Sequence, residues 1–243
     1  VQNGERLVEV PGSHYGVKWS PDGSRIAVSG GPDPPHDARI LDATTGKTVA
    51  TLEPANVILS CITWSPEGDR IVAGSFGESE MVARIWDTNT GETLRLFGGP
   101  GAVCPEWSPD GERIAVGYAD GTAKIYDAAS GKAALTFRGH TGDVWTASWS
   151  PDGSRIASSD QSGAVKVWDA ATGGEVMAFT VPSPARIRWS PDGDYIIAGG
   201  YFHTPVVRRA WQSTEELIAH AKECCVTREL SPAEREQFGL PAR

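Results

Sequence analysis

The chain has 243 residues, with 22 Lys and Arg against 31 Asp and Glu, for a formal net charge of −9. An acidic balance whose longest basic cluster is Arg208–Arg209 excludes a face built to bind nucleic-acid phosphates. No apolar run approaches the roughly 18–20 residues of a membrane span, so one large all-β domain free of the membrane is expected.

The first segment that can be placed is Asn3-Gly4-Glu5-Arg6-Leu7-Val8, which matches Thr90-Gly91-Glu92-Thr93-Leu94-Arg95. It reads as a turn followed by an outer strand over residues 5–10 whose own first three strands are absent. The pentapeptide Trp-Ser-Pro-Asp-Gly then opens at Trp19 and recurs at Trp107, Trp149 and Trp189, with Glu67 in place of Asp in the copy at Trp64. The intervals are 45, 43, 42 and 40 residues, the period of one four-stranded propeller blade. Blades are predicted over residues 14–53, 54–97, 98–137, 138–180 and 181–212, with 1–212 forming the propeller.

Inside a period the strands are legible. Val144–Trp149 is β-rich and is stopped by Ser-Pro-Asp-Gly, where Pro presets one corner and Gly accepts the left-handed one. Arg155–Ser158, Ala164–Asp169 and Glu175–Phe179 follow as further strands, with a turn at Ala170–Gly173. One column at the end of the third strand holds Leu41, Trp86, Tyr126, Trp168 and Trp211. The next residue is Asp42, Asp87, Asp127 and Asp169, then Gln212. After Trp211 the period changes. Ser213 to Glu216 reads as a capping box, and Ser231-Pro232-Ala233-Glu234 as a second helix start, so two short helices are predicted over 213–243.

The Trp-Asp column, with Gly139-His140 ahead of a first strand, resembles the WD-repeat β-propellers over about residues 3–212. The Ser-Pro-Asp-Gly turn is also used by the propellers of periplasmic TolB and of prolyl-oligopeptidase-type enzymes; the Trp-Asp column favours WD repeats. The resemblance implies a His, Ser or Thr, Asp and Trp tetrad within a blade. His140, Ser158 and Trp168 supply pieces in the fourth repeat, where the Asp column is Ser162 and Asp160 is a candidate to substitute for it. The third repeat has Asp120 in that column but no His. The tail, Arg228-Glu-Leu-Ser-Pro-Ala-Glu-Arg-Glu-Gln-Phe-Gly-Leu240, is similar to tails of bacterial STAND and NACHT-type signalling proteins. Rings in the WD family most often have seven blades, so five repeats imply part of a longer array. The other option is closure on itself, with residues 5–10 pairing with Val206–Trp211.

No nucleophile elbow and no phosphate loop occurs, and turn geometry accounts for Asp22, Asp110, Asp152 and Asp192. The chain itself is expected to be non-catalytic, with no cofactor. His220 and Cys224 are too few ligands for a zinc site, and no metal is expected. The spacing of Cys61, Cys104, Cys224 and Cys225 suggests no disulfide framework, and a reducing cytosol is the simplest reading.

From turn Trp to third-strand column is 22 residues in repeats one, two and five, but 19 in repeats three and four. The longer loops hold Asp33, His36 and Asp37, then Phe76, Glu78 and Glu80, then Tyr201, Phe202 and His203. Acid with exposed aromatics suits a basic or mixed peptide. Tyr15, Trp145 and Arg186 are expected near the mouth of the central channel. The partner is therefore expected to be a protein, a peptide or another domain of a larger bacterial signalling or defence chain. Another chain or further blades would complete the ring. The alternatives are an accessory propeller gating an enzyme domain, and a small-molecule site in the channel mouth.

Overall fold

The computed structural model describes residues 14–30, 38–53, 58–76, 83–97, 101–182, 186–200, 203–210 and 219. Blade 1 comprises β1 (His14–Trp19), β2 (Arg25–Gly30), β3 (Arg39–Asp42) and β4 (Thr48–Thr51). Blade 2 comprises β5 (Ile58–Trp64), β6 (Arg70–Phe76), β7 (Ala83–Asp87) and β8 (Thr93–Phe97). Blade 3 comprises β9 (Ala102–Trp107), β10 (Arg113–Tyr118), β11 (Thr122–Asp127) and β12 (Ala133–Arg138). Blade 4 comprises β13 (Val144–Trp149), β14 (Arg155–Asp160), β15 (Ala164–Asp169) and β16 (Glu175–Thr180). Blade 5 comprises β17 (Arg186–Trp189), β18 (Tyr195–Gly200) and β19 (His203–Arg209). Each sheet is antiparallel in chain order. The predicted tail helices and the outer strand over 5–10 lie outside the described residues.

The pentapeptide turn is fixed by its own side chains. Gly23 sits at φ 72 and donates its N–H to the Ser20 carbonyl. The Ser20 hydroxyl donates to Asp22, and Asp22 also accepts the Ser24 N–H and hydroxyl. These hydrogen bonds, from Ser20 first and then Ser24, hold the Asp22 carboxyl down at about 2. The Asp that ends the third strand in blades 1 to 4 does the equivalent for the next turn. Asp42 accepts the N–H groups of Thr44 and Thr45 and the Thr45 hydroxyl. The repeated aspartates thus serve turn geometry.

The first strands adjoin one another in the order β1, β5, β9, β13, β17 and so line the axis. Apolar residues of consecutive blades merge into one cluster at each junction from blade 1 to blade 5. The second strands are buried on both faces, so neighbours such as Ala27 and Val28, Ile71 and Val72, Ile114 and Ala115, and Ile156 and Ala157 are all at most 1% exposed. Stability therefore lives in the junctions between blades, as expected of a repeat array.

Blade 5 departs from its predicted register. Ile196 of β18 pairs with Arg208, where Ile71, Ile114 and Ile156 pair with Trp86, Tyr126 and Trp168. Ala210 N–H reaches the Asp194 carbonyl, as Ala170 reaches Ser154. Arg208 and Arg209 therefore occupy the Trp-Asp column, not Trp211 and Gln212. The turn-Trp to column distance becomes 19 residues, and blade 5 has no long loop between its second and third strands. The cause is that β18 ends at Gly200 and β19 starts at His203, so the chain returns at once. Pro205, which lacks an N–H, sits in an edge strand among the described residues.

Candidate functional site

A recurrent arginine locks each blade onto the next. Arg70, Arg113 and Arg155, each opening a second strand, place their guanidinium groups 4.7, 4.6 and 4.7 Å from the ring centres of Trp107, Trp149 and Trp189. Each also donates to the turn glycine carbonyl of that next blade, Gly111, Gly153 or Gly193, at 3.3, 3.3 and 3.2 Å. Arg25 reaches Thr88 of blade 2 at 3.3 Å, as Arg155 reaches Ala210 at 3.2 Å. The indole N–H groups of Trp64, Trp149 and Trp189 donate backwards to the carbonyls of Lys18, Glu106 and Ser148. Trp107 Nε1 is buried without a partner among the described residues. Stacking plus a charge-assisted hydrogen bond is a cohesive contact at a half-buried site. The signal was present in the sequence: Arg stands six residues after the turn Trp in four repeats, and Tyr195 in the fifth.

Blade 4 carries a buried relay. Trp168 N–H donates to Ser158 Oγ at 2.7 Å, Ser158 Oγ lies 2.7 Å from His140 Nε2, and His140 Nδ1 lies 3.0 Å from Asp160 Oδ2. An indole can only donate and a carboxylate only accept, so the chain runs in one direction: Ser158 donates to Nε2, and the neutral ring donates from Nδ1. Asp160, not the residue at Ser162, supplies the carboxylate; it also accepts the Ser162 hydroxyl and the Ala164 N–H. Burial lowers the His140 pKa from its ordinary 6.5, outweighing the pull of Asp160 in the other direction. Burial works to raise Asp160, but its hydrogen bonds from Ser162, His140 and Ala164 hold it below the usual range. Blade 3 replaces the relay with Tyr118 and Tyr126, whose hydroxyls lie 2.7 Å apart in the interior. Asp120 accepts from Thr122 in the adjoining turn.

Glu106 stands apart from the turn carboxylates. It lies on β9 one residue before the turn Trp, in the column of Lys18, Thr63, Ser148 and Arg188. It accepts from the Ser148 hydroxyl at 2.8 Å, the Trp149 N–H at 3.2 Å and Arg188 of blade 5 at 3.5 Å. Burial pushes its carboxyl above the ordinary 4.5 despite Arg188, Ser148, Trp149 and Lys18. A raised folded pKa means the native state holds the proton more tightly. This group's stabilising contribution is complete below about pH 4.5 and is lost as pH rises through the folded value. Glu106→Gln keeps an acceptor for Ser148 and Trp149, so it is expected to flatten that part of the stability–pH curve. Denaturation midpoints of both proteins between pH 4 and pH 8 check this.

The cysteine expectation is corrected. Cys61 and Cys104 stand one repeat apart in the same column of β5 and β9, with Cα atoms 4.8 Å apart, and form a disulfide between blades 2 and 3. Both occupy left-handed backbone, φ 48 and 43, at the bulge of their strands. A separation equal to the repeat period was the overlooked signal, because stacking brings one column of neighbouring blades together.

Of the proposed contact residues, Trp145 on β13 is 46% exposed and Arg186 on β17 is exposed. Both lie at the strand ends remote from the pentapeptide turns. Tyr15, Phe76 and His203 fall in β1, β6 and β19. Asp33, His36, Asp37, Glu78, Glu80, Tyr201 and Phe202 lie outside the described residues. The shared sector of long loops loses blade 5 as a member, because of the register above. Among the described residues no group of three His, Cys, Asp or Glu is arranged to hold a metal, and no helix is long and apolar enough to cross a membrane.

No curated protein matches the chain. One family description does: the TolB beta propeller domain, PD40, over residues 35–205. Repeated antiparallel blades, bound by the Ser-Pro-Asp-Gly turn and covered by that match, place the chain in the TolB β-propeller domain family.

Proposed function

We propose that the chain is a non-catalytic interaction propeller that forms part of a larger bacterial signalling or defence protein. The observation that carries the reading is Trp145, a large aromatic left 46% exposed on a rigid axial strand whose inner neighbours Val144 and Thr146 are buried. Exposed aromatics on a fixed frame are the residues that anchor protein contacts. An acidic chain, with a net charge of −9, favours basic or mixed peptides. The turn aspartates support a structural assignment, since Asp42 and Asp169 are lowered by hydrogen bonds from Thr45 and Thr172 in their own turns. The relay from Trp168 to Asp160 supports kinship with WD-repeat blades. A cytosolic home carries one condition: there the Cys61–Cys104 pair would stand as thiols.

The test is a selection of displayed peptides on the purified chain, followed by affinity measurement. Trp145→Ala is expected to weaken the recovered binders by about 2 kcal/mol, roughly 30-fold in Kd, with an unchanged circular dichroism spectrum. Equal binding to the variant sinks the assignment of Trp145. A hydrolase or transferase activity abolished by one substitution in this chain sinks the non-catalytic reading.

A further inference from the structure

The junctions between blades are directional, and one of them is half built. At each internal junction the second strand of one blade packs against the first strand of the next, and at three of the four its leading arginine lies over the turn Trp, as Arg70 over Trp107, Arg113 over Trp149 and Arg155 over Trp189. Trp64, Trp107 and Trp149 are 9%, 6% and 5% exposed and Trp189 is half-buried, whereas Trp19 is 61% exposed. Two residues earlier, Ile62, Ala147 and Ile187 are at most 1% exposed, whereas Val17 is 56% exposed. Blade 1 thus presents the acceptor half of a junction with nothing of the described chain upon it.

Blade 5 presents the opposite half, with Tyr195, Ile197 and Val207 at 44%, 42% and 57% exposure. It does not complete the junction in kind. At the latch position blade 5 carries Tyr195, which has a single hydroxyl donor and no charge in place of the guanidinium that Arg70, Arg113 and Arg155 place over a Trp and on a turn carbonyl. A second copy of the chain, docking its blade 5 on Trp19, would bring the same tyrosine. Residues 3–8 repeat the turn and outer-strand pattern of residues 90–95, the part of a blade that follows its first three strands.

We infer that the Val17–Trp19 face of blade 1 is the docking surface for a further blade of this repeat. That blade lies upstream in the same polypeptide and carries an arginine at the position of Arg70. Its guanidinium covers Trp19 and donates to the Gly23 carbonyl, as Arg70 does for Trp107 and Gly111. The face of blade 5 exposed among the described residues then belongs to the closure of a ring of more than five blades.

The experiment reads Trp19 directly, as the difference in acrylamide quenching between each protein and its Trp19→Phe variant. In the chain as it stands, Trp19 is expected to be fully quenchable, with sedimentation velocity showing a monomer. A copy of residues 54–97, or alternatively of 98–137, is then joined in place of residues 1–10, so that Arg70 or Arg113 of the copy precedes blade 1. Quenching of Trp19 is expected to fall to the level of Trp64. Arg→Ala at that position of the added copy restores quenching. The inference is overturned if neither added blade shields Trp19, or if the arginine of the copy is dispensable. It is equally overturned if the unextended chain already shields Trp19, as a monomer through blade 5 or as a dimer through a second copy.

Discussion

Trp149→Ala is expected to destabilise the chain by about 3–5 kcal/mol, while the same change at Trp19 costs under about 1 kcal/mol. Both residues open the same pentapeptide, so composition and turn chemistry cannot separate them. Trp149 is 5% exposed, donates its indole N–H to the Glu106 carbonyl at 3.2 Å, and lies under the Arg113 guanidinium at 4.6 Å. It belongs to the cluster joining blades 3 and 4 with Ile125, Phe137, Ile156 and Trp168. Its removal leaves a cavity at a junction and frees Arg113 from its platform. In a linear array such a loss uncouples neighbours, so the effect should concentrate there. Urea denaturation measures the total. Hydrogen exchange should show faster opening of β9, β10 and β13, with β5 to β7 little changed.

Asp160→Ala is expected to cost about 3 kcal/mol, because it strands buried donors without water to replace their partner. The Asp160 and His140 side chains are 0% and 1% exposed, and one carboxylate accepts from His140, Ser162 and Ala164. Asp160→Asn retains an acceptor and is expected to recover part of the loss. The relay also sets a pH response. His140 has a folded pKa below its ordinary 6.5, so the unfolded chain binds the extra proton more readily. Stability from this group is complete above about pH 6.5 and falls as pH drops towards the folded value. Asp160 adds a second loss at lower pH, below the ordinary 3.8. Denaturation midpoints at pH 7.5 and pH 5.5 should differ less in His140→Gln than in the parent chain; an equal difference removes His140 as the source.

Much of the frame could be read from the residues because its determinants are local. Ser20, Asp22 and Gly23 form a turn from atoms within five residues, and the copies at Ser108, Ser150 and Ser190 do the same. Strand positions follow from the apolar and aromatic runs between such turns. Blade 5 was misplaced because Trp211 imitates the column residue. The register is set instead by pairing along β18, which brings Arg208 opposite Ile196. The carboxylate of the relay was legible only as a substitute, since Asp160 sits at a strand end and Ser162 holds the usual column.

The amino-acid sequence by itself determined the repeat, its period, the turns and the blade as the building unit, because each depends on neighbours close along the chain. The tertiary structure decided which residues meet across a junction. Arg113 over Trp149, Cys61 against Cys104 and Glu106 beneath Ser148 each join positions about one repeat apart. Their contacts depend on how far one blade is turned against the next, which no local preference encodes. The same stacking separates five nearly identical tryptophans into three buried at junctions, Trp189 half-buried, and the one, Trp19, left facing outward.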